Sequence, residues 1–186
     1  MRIFGRLRGT HKEPLGRWFE REVAVLAGRI TAADALGQAQ ALIAEVDPHA
    51  YPVQISTSAV DENGRSEHWE VGFDSRALVA NLWVEFGFDH AWLRGVPLVN
   101  RESGSVTPDL WARMNSTQRQ VFTDKWFAYP ELTGFVDSDA ALAQLMAEHP
   151  EVSLVSDSTE MSLETDRADE LWALTVADHE WWTPLF

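Results

Sequence analysis

Cysteine is absent from the 186-residue chain, which removes disulfide frameworks, thiol catalysis, iron–sulfur clusters and cysteine-ligated zinc. Basic side chains are scarce: 15 Lys and Arg stand against 29 Asp and Glu, for a formal net charge of −14. A field of that sign repels phosphate backbones and anionic lipid, so no nucleic-acid partner is expected for the body of the chain. No apolar run reaches the roughly 18 residues that a membrane-spanning helix needs, so no membrane span is expected. The opening residues Arg2, Ile3, Phe4, Gly5, Arg6, Leu7 and Arg8 lack the apolar stretch of a secretory signal, and a cytoplasmic location is the expectation. Glycine and proline number 11 and 8 without period, which excludes collagen-like and low-complexity chains. Phosphate loops, dinucleotide fingerprints and nucleophile elbows are missing too, so no catalytic residue and no cofactor is assigned.

What is present belongs to a folded α+β protein: 45% of the residues are hydrophobic and 24% charged. Leu15, Phe19, Val23 and Leu26, after Pro14 and before Gly28, predict a basic N-terminal helix over 14–27. Thr31 and Asp34 open a second helix, with Leu36, Ala39, Ile43 and Val46 as its stripe and Asp47-Pro48 as its end. The period then falls to two. Tyr51, Val53 and Ile55 alternate up to an Asn63-Gly64 pair, which predicts a tight hairpin turn, and Trp69, Val71 and Phe73 alternate with His68 and Glu70. Over 78–88 the residues Leu82, Val84, Phe86 and Phe88 share one face, while Asn81, Trp83 and Glu85 take the other. Asp89-His90 reads as loop, and segments 96–100 and 105–107 as a last strand pair. Thr107-Pro108 starts a short helix through Met114, and 118–127 forms another, with Trp111, Phe122, Trp126 and Phe127 expected in the core.

An internal echo organises the chain. Residues 137–149 resemble 31–45, both Ala/Leu helices closed by a proline (Pro150 and Pro48), and 171–178 parallels 68–75. The helix start lies 38 positions before Trp69 in the first case and 35 before Trp172 in the second. The expectation is therefore two related helix-on-antiparallel-sheet units, with additional N-terminal and central helices. The segments are 1–30, a basic helix; 31–107, a helix plus antiparallel meander; 108–136, a helical connector; and 137–186, a second, truncated helix-plus-hairpin unit.

The helix after Thr31, the hairpin ending in Trp69, Val71 and Phe73, and the Gly104 turn resemble PepSY-like and cystatin-like α+β modules. The stretch Gly95, Val96, Pro97, Leu98, Val99, Asn100 through Gly104 and Val106 is similar to the closing hairpin of small bacterial toxin-immunity proteins. The first resemblance implies one helix wrapped by an antiparallel sheet. The second implies a protein that inhibits by binding.

Charge distribution points the same way. Residues 1–29 carry seven basic and three acidic side chains, whereas 131–186 carry thirteen acidic groups and Arg167 alone. Asp157, Glu160, Glu164, Asp166, Asp169 and Glu170 surround a turn expected near 166–169, and the chain closes on Asp178, Glu180, Trp181 and Trp182. Large aromatics at a terminus either tuck onto the core or stand ready for a partner; one exposed Trp among these carboxylates would match a hot spot with an electrostatic rim, so these ten residues are the candidate partner-binding set. The expected function is a non-catalytic protein-binding or inhibitory protein, of immunity type, acting on a basic protein partner. His68 and Glu70, two apart on one strand face, carry the alternative: a pocket on the sheet face serving a small-molecule binder or enzyme. A structural or assembly subunit is the third possibility, and the sequence leaves oligomeric state open. His179-Glu180-Trp181-Trp182-Thr183 begins like a zinc-protease helix, but Thr183 stands where the second histidine would be needed, so no metal is assigned.

Overall fold

A computed structural model describes residues 19–25, 28–99, 106–128, 131–132, 134–152, 154, 159–165, 170–176 and 179–184, with backbone alone for residue 19 and from residue 163 onward. Its architecture is α+β. Eight strands form one antiparallel sheet: β1 (Phe19–Ala24), β2 (Tyr51–Thr57), β3 (Glu70–Ser75), β4 (Ala80–Phe86), β5 (His90–Pro97), β6 (Thr159–Thr165), β7 (Glu170–Val176) and β8 (His179–Pro184). Four helices are described: α1 (Ala32–Ala44), α2 (Pro108–Arg113), α3 (Ser116–Trp126) and α4 (Ser138–Glu148). The spatial order is β1-β5-β4-β3-β2-β6-β7-β8, two meanders joined where β2 pairs with β6.

Where the expected N-terminal helix was placed, residues 19–24 instead form β1, antiparallel to β5 with Val23 opposite Ala91 and Glu20 opposite Arg94. Glu20, Glu22 and Ala24 are exposed while Arg21 and Val23 are half-buried, a period of two that the helical spacing of Phe19, Val23 and Leu26 hid. The rest of the expected basic helix, residues 1–18, lies outside the described residues.

The sheet buries one side. Ile55, Val71, Phe73, Leu82, Val84, Phe86, Ala91, Leu93 and Met161 join Ala32, Ala35, Leu36, Ala39 and Ile43 of α1 and Ala141, Leu142 and Leu145 of α4 in one core. Alternation makes this possible, since every second residue of β4 and β5 is buried. Trp69, just before β3, is buried and donates its Nε1–H to the Ile30 carbonyl at 2.9 Å, so its one polar atom is satisfied. Phe88, expected on the buried face, is 56% exposed because β4 ends at Phe86 and the alternation ends with it. His90, expected in a loop, is the first residue of β5.

Residues 58–69 connect β2 to β3, so the Asn63-Gly64 turn sits inside a longer loop and does not join the strands directly. Gly64 has φ +68, donates its N–H to the Asp61 carbonyl, and packs so tightly that a Cβ would lie 2.5 Å from the Ser138 carbonyl oxygen. That contact marks where the two helix layers meet. The Ser138 hydroxyl is fully buried at the start of α4, donates to the Gly64 carbonyl at 2.6 Å and accepts from the Ala32 N–H at 3.0 Å. The adjacent Asp137 carboxylate accepts from the Ala33 N–H at 2.9 Å. Two helix N-termini therefore share their capping groups, and unpaired first-turn amides of α1 are satisfied by α4.

A second cluster forms at the end of the sheet where β4 begins and β5 ends. Trp111 of α2 and Phe127 after α3 bury against Val79, Leu98, Val99 and Val106. Phe122 meets Trp111 edge to face at 5.7 Å, and the Arg119 guanidinium lies 5.3 Å from the Trp111 ring centroid. Trp126, expected in the core, is instead 40% exposed and stacks on the half-buried Phe122. Only one end of the amphipathic stripe reaches the sheet. The expected strand pair after 96 is reduced to a parallel bridge between Val99 and Val106, and Gly104 lies outside the described residues.

Removing the shared cap tests this junction. Ser138→Ala strands a buried N–H and a buried carbonyl and should lower unfolding stability by about 1–3 kcal/mol in urea titration. Gly64→Ala should cost more than that, because positive φ and the Ser138 backbone oppose the new methyl together.

Candidate functional site

The side of the sheet away from α1 carries a different chemistry. Register aligns Ser162, Ser56, Glu70, Glu85, Trp92 and Glu22 as one row across six strands. A neighbouring row runs through Gln54, Gly72, Trp83, Arg94 and Glu20. These side chains alternate with the buried set, and apart from Gly72 none of them is buried. Trp83 lies over its cross-strand partner Gly72, where a Cβ would stand 2.7 Å from the indole. The missing side chain is what lets the ring lie flat against the backbone.

Arg94 organises the charge. Its Nε donates to Glu20 at 3.0 Å and a second guanidinium nitrogen donates to Glu85, so one cation holds a carboxylate from β1 and another from β4. Glu70 sits directly opposite Glu85 without a salt-bridge partner among the described residues. Partial burial pushes the Glu70 carboxyl above the usual range, the Glu85 charge adds to the rise, and Arg94 opposes it. Next to this pair, Ser56, Ser58, His68, Glu70, Glu85 and Glu160 line an open depression of about 380 Å³. Another open depression, of about 440 Å³, lies between the Asn63 turn and Asp139 of α4. Both are polar and shallow, unlike the enclosed apolar cleft of a small-molecule site. No group of three or more metal-ligating side chains converges among the described residues.

Two separately expected sets meet here. Glu160, taken from the acidic C-terminal set, lines the same depression as His68 and Glu70, the alternative pocket pair, because β2 pairs with β6 on one side and β3 on the other. Glu164 lies in β6 opposite Leu171, Glu170 begins β7, and Glu180, Trp181 and Trp182 lie in β8 with Trp182 opposite Ala173 and Trp181 opposite Leu174. Asp157, Asp166, Asp169 and Asp178 lie outside the described residues. His179 opens a strand, which is not the helical setting that a zinc-protease motif requires. Glu85 and Arg94 escaped sequence reasoning. The placement of Glu85 beside Asn81 and Trp83 on the polar face of its strand was the available signal, whereas nothing in the sequence announces the Arg94 contacts.

At the edge of this surface Asp74 is only 2% exposed. Its Oδ1 accepts from Asn81 Nδ2 at 2.7 Å, and its Oδ2 has no hydrogen-bond partner. Burial raises its carboxyl to about 6, more than the Asn81 hydrogen bond and the Arg76 charge pull it down. The folded state therefore binds this proton more tightly than the unfolded chain. The contribution of Asp74 to stability is fully present below the ordinary value of 3.8 and is lost as pH rises to about 6, by roughly 3 kcal/mol at most.

Comparison with known protein families, curated proteins and solved structures finds no match to this chain.

Two titrations check the electrostatics. Glu85→Gln should move the Glu70 pKa down toward the ordinary carboxylate value, read by carboxyl-carbon NMR, since it removes a like charge and frees Arg94. Asp74→Asn should gain about 1–3 kcal/mol on the wild type at pH 7.5 relative to pH 4 in urea unfolding, because the desolvated charge is gone.

Proposed function

We propose that the chain is a non-catalytic binding or inhibitory protein whose partner is a basic protein, in the manner of an immunity-type antagonist of a basic toxin. The observation that carries this is an acidic, solvent-facing sheet surface in a chain of net charge −14, with two open polar depressions among the described residues. Carboxylates of one sign over a broad surface raise the rate of encounter with a cation-rich partner, and half-exposed indoles give the docked complex something to bury. Catalysis asks for a nucleophile or a base held by an orienting partner inside a water-excluding site. His68 is exposed, and its backbone carries its hydrogen bonds with Ser66: its N–H donates to the Ser66 hydroxyl and its carbonyl accepts from it.

We also propose that the helix-and-strand runs α1-β2-β3-β4-β5 and α4-β6-β7-β8 are related units. Three features support it. The element order repeats, the first strands β2 and β6 pair antiparallel at the centre of the sheet, and the helices meet through equivalent first residues, Ala32 and Ser138. An antiparallel pairing of equivalent strands is what a pseudo-two-fold axis between duplicated units requires.

Stopped-flow association with a fluorescein-labelled peptide of nine arginines tests the binding role. Raising salt from about 20 to 200 mM should slow association by roughly tenfold or more while changing dissociation little. An association rate indifferent to salt, or no binding at low salt, removes the role.

A further inference from the structure

On the premise of a basic partner, we infer that the docking surface is the open sheet face centred on Glu70, Glu85, Trp83 and Trp92, and that the carboxylates of Asp157, Asp166 and Asp169 are not required. An eight-stranded sheet has two faces, and the helix layer of α1 and α4 accounts for one. On the other, Trp83 and Trp92 are half-exposed on adjacent strands, in neighbouring register rows, on a rigid support. Strand backbone fixed on both sides by neighbours gives such aromatics little freedom to lose on binding, the property of an interface anchor. Trp92 is further held by His90, edge to face at 6.2 Å.

Charge complementarity names the occupant. Across this face, among the described residues, Glu20, Glu22, Glu70, Glu85 and Glu160 face one arginine, Arg94, whose guanidinium is already held by Glu20 and Glu85. Glu22, Glu70 and Glu160 have no salt-bridge partner among the described residues, so an arriving lysine or arginine finds carboxylates that no internal cation must release. A second copy of this chain would set the same negative charges against each other. A basic partner relieves the repulsion between Glu70 and Glu85 as it binds, which ties affinity to this location.

Two variants with equal charge change separate the face from the tail: E22Q/E70Q/E160Q and D157N/D166N/D169N. With the nine-arginine peptide at low salt, the face variant should lose about tenfold in affinity and the tail variant about twofold or less. The Trp83 and Trp92 indole N–H resonances should shift on titration into the wild type. Equal losses in both variants without indole shifts would overturn the assignment of the face while leaving the basic-partner role standing. Absence of wild-type binding would overturn both. A variant R6Q/R8Q/K12Q that binds the peptide several-fold more tightly than wild type would mark the chain's own basic N-terminal segment as occupant, against an external partner.

Discussion

The antiparallel pairing of β2 with β6 is the contact on which the rest of the molecule depends. Four register pairs, from Gln54 opposite Glu164 to Thr57 opposite Met161, convert two separate meanders into one sheet. Each meander alone would leave a central edge of unpaired amides and carbonyls, a costly arrangement wherever water is excluded. Pairing removes both edges at once. It also brings α1 and α4 over the same side, so that Ala32 and Ser138 come within hydrogen-bond distance and the first turn of one helix is capped from the other. The Val60 N–H completes the seam by donating to the Thr159 carbonyl at 3.0 Å.

One-sided burial follows from that geometry and decides where function is possible. Because side chains alternate, the residues committed to the helix layer leave their neighbours on the opposite side, and among the described residues those neighbours include Glu20, Glu22, Glu70, Glu85, Ser56, Arg94, Trp83 and Trp92. Such a surface is poorly suited to excluding water from a reacting group. In the proposed role it serves recognition, where a rigid array of charges and rings meets a complementary surface. Asp74 and Glu70, both shifted upward by burial, mark where the transition from core to surface leaves charge partly desolvated.

Local signals carried much of this into the sequence. Thr31, Thr107 and Asn115 each cap the helix that follows, with Asn115 and Gln118 forming a reciprocal box. The alternation in β3 and β4 was equally plain, because a half-buried strand must show it. β1 was misread because its six residues also satisfy a helical stripe, and only hydrogen bonding to β5 selects the extended form. Phe88 and Trp126 were misplaced for a related reason. Spacing says which residues share a face, but not where the neighbouring element stops covering it.

The sequence by itself determined the α+β class, most helix starts, the polar and apolar sides of the central strands, and a formal net charge of −14. These are consequences of interactions within a few residues, or of simple summation. Only the tertiary structure decided that Glu160 of the acidic C-terminal set and the pair His68 and Glu70 lie around a single depression. The same holds for Arg94, which bridges residues 74 and 9 positions away. Contacts of that kind depend on strand order and register, and these are fixed by which edges pair, a choice that no short window of sequence contains.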